Sequence, residues 1–116
     1  MDGSSRDDLR DFPPDVRRVM GQAIDDAQLG TEHPAAKALK GFGGRSVLEI
    51  VDDFDRDTYR AVYSVKFAGA VYVLHAFQKK AKKGIATPRH EIDLIKARLK
   101  RAEEHYRATY LKGARP

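Results

Sequence analysis

Three runs rich in β-branched and aromatic residues follow one another over 46–54, 58–67 and 70–79, separated only by Asp55-Arg56-Asp57 and Ala68-Gly69. Linkers this short join only antiparallel neighbours, because a parallel crossover needs about a dozen residues or more. The centre of the chain is therefore read as an antiparallel meander. In the middle run Tyr59, Ala61, Tyr63, Val65 and Phe67 alternate with Thr58, Arg60, Val62, Ser64 and Lys66. Period-two alternation sends the two sets to opposite faces. One packed face and one open, cationic face are expected. The third run contains Val71-Tyr72-Val73-Leu74, apolar on both sides, and suits a central strand.

The flanks have a helical period. Ser4, Ser5, Asp7 and Asp8 suggest a short helical lead into Leu9 and Phe12, after which Pro13-Pro14 opens a longer helix. Val16, Val19, Met20, Ala23 and Ala27 recur at three- and four-residue steps, and Gly30 ends the pattern. Residues 31–44 read as a connector: His33-Pro34 disfavours helix, a short helical turn is expected over 35–39, and Gly41, Gly43 and Gly44 close it. After the strands, Thr87 as N-cap and Pro88 at the first helical position start a last helix. Ile92, Ile95, Leu99, Ala102 and Tyr106 form its buried stripe; Lys96, Lys100, Glu103 and Arg107 form its wet face. The expected fold is α+β, a small antiparallel sheet with three visible strands packed by N-terminal helices and a C-terminal helix. It forms a single domain over 1–116, with a frayed tail over 108–116.

Composition narrows the chemistry. A chain of 116 residues supports one hydrophobic core, and 41% hydrophobic residues make it too apolar for disorder. The absence of cysteine excludes disulfides, thiolate metal sites and cysteine nucleophiles, and permits a reducing compartment. Residues 68–77, the longest mainly apolar run, fall well short of a membrane span, and the start lacks the basic-then-apolar order of a signal peptide. A cytoplasmic location is expected. The net charge of +5 is distributed unevenly: residues 1–55 hold 7 Lys/Arg against 12 Asp/Glu, whereas residues 56–116 hold 15 against 5. A regional excess of this kind suits a polyanion, whose condensed counterions are released on binding. The plainer reading is a solvated helix face with a cationic tail.

Lys79, Lys80, Lys82 and Lys83 follow directly on the third strand. Four ammonium groups so close repel one another, and a phosphate chain lying across them offsets that cost; otherwise they form a solvated loop. Arg60, on a mid-sheet strand, offers a planar fork of donors matched to phosphate oxygens; its alternative is a cross-strand ion pair with Glu49 or Asp52. His75 suits proton transfer if its ring reaches the polar face, but period two groups it with Val71, Val73 and Phe77, as a core or edge histidine would be. Tyr59 and Tyr63 fit the core better than a base-stacking platform. His33, His75, His90 and His105 lack metal-ligand spacing, and no nucleotide-binding glycine loop or hydrolase elbow occurs, so neither metal nor cofactor is expected.

In order along the chain, Asp8-Leu9-Arg10-Asp11-Phe12-Pro13, Leu39-Lys40-Gly41-Phe42-Gly43, Val47-Leu48-Glu49-Ile50, Tyr59-Arg60-Ala61-Val62-Tyr63 and Leu74-His75-Ala76-Phe77-Gln78-Lys79-Lys80 resemble the phage-related, HigB-like branch of the RelE/ParE toxin superfamily. The Leu-His-Ala-Phe-x-Lys-Lys stretch, followed by Thr87-Pro88 and a helix, is the most specific part. The resemblance implies a RelE-like sheet backed by helices and a toxin that cuts messenger RNA in the ribosomal A site without a metal. It also implies a cognate antitoxin, often a helix-turn-helix protein. Arg60 and Lys80 fall where such toxins place cations beside the scissile phosphate, and Lys79 flanks them; the resemblance assigns no role to His75, which is a further catalytic candidate on its own chemistry, as Lys66, Lys79, Lys82 and Lys83 are RNA-binding candidates on their charge. The branch usually begins with a β-strand, and only Met1-Asp2-Gly3 precedes the Ser-Ser stretch here; either a truncated start or a missing edge strand is therefore expected. Gyrase inhibition on the same fold, or non-catalytic nucleic-acid binding, are the rival readings.

Overall fold

The computed structural model describes residues 9–42, 46–54, 57–67, 70–79 and 89–111. Helix α1 (Pro14–Gln28) starts with a proline at its first position, and no side chain caps it. It ends where Gly30 adopts φ +85°, a conformation that only glycine takes without strain. Thr31 N–H then donates to Asp26 O at 2.8 Å. Strand β1 (Ala36–Ala38) follows, then β2 (Val47–Phe54), β3 (Asp57–Phe67) and β4 (Ala70–Lys79). Helix α2 (Arg89–Tyr106) continues into a π-helical turn, Arg107–Leu111. The chain is thus helical through 108–111, where a frayed tail was expected; 112–116 lie outside the described residues, as do the expected Thr87 N-cap and the stretch 1–8 in which the N-terminal strand was sought.

The sheet has four antiparallel strands in the order β1-β2-β3-β4. The fourth strand comes from the connector, where a helical turn was expected over 35–39. Ala-Lys-Ala carries no strand preference of its own, but beside β2 its backbone groups find a ladder, with Ala36 opposite Ile50 and Ala38 opposite Leu48. Tertiary pairing overrides local propensity here. The sequence also pointed to β4 as a central strand; it lies at the edge of the described sheet and is apolar on both sides because both faces of the sheet are covered.

That second covered face corrects the expectation of an open cationic surface. On one face, Phe12 and, from α1, Val16, Met20 and Ala23 pack against Leu48, Ile50, Tyr59, Ala61 and Tyr63. On the other, α2 lays Ile95 and Ala102 over Val47, Val62, Tyr72 and Leu74. Of the set read as outward, Thr58, Arg60, Val62 and Ser64 are buried, and only Lys66, near the end of the strand, is exposed. The middle strand alone did not reveal this. Its second face has a single large apolar residue, Val62, and the rest of the apolar surface under α2 comes from β2 and β4. Tyr59 and Tyr63 are core residues; Tyr59 meets Phe12 edge-on, with centroids 4.9 Å apart.

Candidate functional site

Two of the candidate residues, Arg60 and His75, meet where the sheet emerges from beneath the N-terminal half of α2, and a bulge puts His75 there. Ala61 pairs with Ala76 and Val62 with His75, but Tyr63 pairs with Val73, so Leu74 is an extra residue on β4. A bulge of this kind re-aims the side chains beyond it. Val71 and Val73 face α1, as alternation requires. Past the bulge the phase reverses, and His75 turns to the α2 side, its ring stacked on Phe77 at 4.9 Å and 22°. The period-two grouping of His75 with Val71 and Val73 is therefore corrected by one residue of register.

His75 is buried and bonded through both ring nitrogens. Arg98 Nη1 donates to Nδ1 at 2.9 Å, and Nε2 meets Glu91 Oε1 at 3.2 Å. A guanidinium has no acceptor, so Nδ1 must carry the lone pair and Nε2 the hydrogen that it donates to Glu91. The same Arg98 nitrogen donates to Leu74 O at 3.0 Å, tying α2 to the bulge itself. Glu91 and Arg98 were not singled out in the sequence. Their signal is the spacing Glu91, Ile95, Arg98, Ala102, which sets two polar residues on the same helix face as the two buried apolar ones.

Arg60 occupies the neighbouring position on β3, opposite Phe77 and Val51. It is 6% exposed, and its Nη1 donates to Glu49 Oε2 at 3.2 Å. The cross-strand ion pair weighed for it in the sequence is thus formed, and with Glu49. Asp52 pairs with Tyr59 in register and so lies toward the α1 side, where burial and the negative charges of Asp53 and Asp15 raise its carboxyl above the ordinary value. Thr58, two residues along β3, pairs in register with Lys79, the last residue of β4. The backbone thus places Lys79 on the same sheet face and at the same end as Arg60. The Lys79 side chain lies outside the described residues, as do Lys80, Lys82 and Lys83. Lys66 is not part of this group: it stands six residues along β3, roughly 20 Å away at about 3.3 Å per residue, bonded to Glu103 at 3.1 Å near the C-terminal end of α2.

The corner therefore brings Arg60 and His75 together on adjacent strands, each held by a carboxylate, at the strand end from which the lysine run departs. No group of three or more candidate metal ligands occurs among the described residues, and no described helix is long and apolar enough to cross a membrane.

A four-stranded antiparallel meander between two helices, with a histidine–arginine corner on one face, defines a small α+β protein consistent with the RelE-like fold. The chain belongs to the family of phage-derived Gp49-like proteins (DUF891), which it matches over residues 7–100, a member of the RelE-like toxin superfamily. No curated protein and no solved structure matches it.

Proposed function

We propose that the chain is the toxin of a type II toxin–antitoxin pair, of the HigB-like branch, and that it cuts messenger RNA on the ribosome. The observation that carries this reading is the family match over most of the chain, combined with the clustering of Arg60 and His75 beside the start of the lysine run. The reaction is an internal transfer. The 2′-oxygen attacks the adjacent phosphorus and gives its proton to a base. The bond from phosphorus to the 5′-oxygen breaks, and that oxygen takes a proton from an acid. The products are a 2′,3′-cyclic phosphate and a 5′-hydroxyl, with no metal or cofactor in the balance. In this proposal Arg60 and Lys80 stabilise charge on the phosphoryl oxygens, a preorganised effect often worth about 3 to 4 kcal/mol per donor. His75 carries a proton, and Lys79, Lys82 and Lys83 hold the backbone; Lys66, at the far end of β3, would meet RNA only outside the corner.

The geometry adds a condition. The phosphate must displace Glu49 from Arg60, and His75 must release Glu91 or Arg98 before either ring nitrogen handles a proton. This same observation favours a second reading, in which both residues are structural and the basic half binds nucleic acid or gyrase without cutting. Adding the purified protein to a translating extract and to a gyrase supercoiling assay separates the readings. Message cleavage with normal supercoiling supports the first. Intact message with blocked supercoiling, or with neither effect, removes it. The cognate antitoxin, proposed as a helix-turn-helix protein, would abolish the cleavage when added in equal amount, acting in the cytoplasm.

A further inference from the structure

A second cationic feature lies beside the corner and has no role in the reading above. Between β4 and the C-terminal half of α2 is a cleft of about 160 Å³, bordered by Tyr72, Leu74, Arg98, Arg101 and His105. Arg98, Arg101 and His105 are spaced three and four apart, so they stand in a row along one side of the helix. No Asp or Glu lines the cleft. Arg98 is fixed by Leu74 O and His75 Nδ1, so its charge is held at the cleft wall without loss of side-chain freedom on binding. Tyr72 Oη and His105 Nδ1 lie 2.7 Å apart. Whichever of them donates in that bond, the pair retains a further N–H or O–H donor: His105 Nε2–H if Tyr72 donates, Tyr72 O–H if His105 does.

We propose that this cleft is a phosphodiester subsite, holding a backbone phosphate of single-stranded RNA next to the nucleotide at the His75 corner. The inference rests on the reading of the chain as RNA-directed. Two guanidinium groups and a hydroxyl–imidazole pair suit a group with several acceptor oxygens. Arg98 belongs to both places, bonding His75 and lining the cleft, so a strand lying across the corner runs into the cleft without a break. The surrounding half of the chain carries the excess of 15 Lys/Arg over 5 Asp/Glu, which favours a polyanion over an acidic protein segment as the occupant.

The test is a fluorescence-anisotropy titration of the full-length protein with a short labelled single-stranded RNA over a range of salt concentrations. Arg101→Ala and His105→Ala are compared with Lys100→Ala, which removes the same charge as Arg101→Ala from the adjacent, outward position of α2. All three residues are exposed, so the variants should fold, and their denaturation curves check this. Arg101→Ala is expected to weaken binding about tenfold and to lower the log–log salt slope by about 0.7. Lys100→Ala should change affinity by less than about threefold, as a general field effect does. Equal losses in Arg101→Ala and Lys100→Ala would overturn the subsite. So would unchanged RNA binding with lost binding of a Glu-rich peptide, which assigns the cleft to a protein partner. If Arg101→Ala is selectively weakened while no message is cut, the subsite stands and the nuclease reading falls. If message is cut but Arg101→Ala binds RNA as the parent does, the subsite falls alone.

Discussion

Glu49→Gln is a near-isosteric change with a large expected cost. It keeps the size of the side chain and its hydrogen-bonding oxygen but removes the charge opposite Arg60. The Arg60 side chain is 7% exposed and that of Glu49 14%. The guanidinium is out of water, and a charge in that position must be compensated. Breaking a fully buried pair from one side costs about 3 to 5 kcal/mol. The residual access to water at Glu49 and the oxygen that glutamine still offers lower this to about 2 to 4 kcal/mol. For a chain of this length about 1 kcal/mol corresponds to roughly 4 °C, so the midpoint should fall by about 8 to 16 °C. Urea denaturation with an unchanged slope, together with calorimetry, measures both quantities. Arg60→Met should also destabilise, and Glu49→Gln/Arg60→Met should be far less damaged than the sum of the two single changes, because the pair is removed as a unit. A Glu49→Gln protein within about 0.5 kcal/mol of the parent would refute the reasoning, since it would mean that the other contacts of Arg60, and not Glu49, compensate its charge. The same numbers govern how activity is interpreted: a loss of cleavage in Arg60→Ala means something only when compared at a temperature where that variant is folded.

Ile95→Ala should cost about 3 kcal/mol in chemical denaturation, because Ile95 is fully buried where α2 crosses Val62 and Leu74. Arg98→Met, which keeps the stem and removes the donors, leaves Leu74 O and His75 Nδ1 short of a partner. A cost of about 2 kcal/mol is expected, and nitrogen NMR of the His75 ring should show the Nε2–H form of the parent giving way to a mixture. Asp52→Asn should stabilise the protein at neutral pH. Burial raises the Asp52 carboxyl above 3.8, with Asp53 and Asp15 adding to the effect, so the native state binds this proton more tightly than the unfolded chain does. The ionised form costs stability above the raised value, and the cost vanishes below about 3.8. The advantage of Asp52→Asn in urea denaturation should therefore shrink as the solution is acidified toward that value, and a constant advantage would contradict the assignment.

The meander was legible because three β-rich runs joined by two- and three-residue links leave no other topology, and the bounds of β4 agree with its run at both ends. Helix α1 was equally clear, since Pro14, the stripe from Val16 to Ala23 and Gly30 agree on start, face and stop. What escaped the sequence has a common cause: it depended on contacts between elements. Ala36–Ala38 became a strand only because β2 offered an edge. The face carrying Arg60 looked open because β3 was read by itself, whereas Val47, Tyr72 and Leu74 from its neighbours provide the floor on which α2 rests. The bulge at Leu74 carries no composition signal, yet it decides which way His75 points. The pairing of Arg60 with Glu49 was one of two carboxylates open to it, and register excluded Asp52. Glu91 and Arg98 were hidden in the polar residues of a helix whose buried stripe was sought among apolar ones only.

The central claim, that this Gp49-like chain cuts messenger RNA on the ribosome through its basic half, is tested most directly by mapping the ends of message recovered from translating ribosomes after addition of the purified protein. The predicted result is a set of codon-phased cuts with 5′-hydroxyl and 2′,3′-cyclic phosphate termini, formed equally well in the presence of a metal chelator that leaves the ribosomes intact. Full-length message recovered from ribosomes exposed to folded protein, or 5′-phosphate ends formed only with added metal, would contradict it.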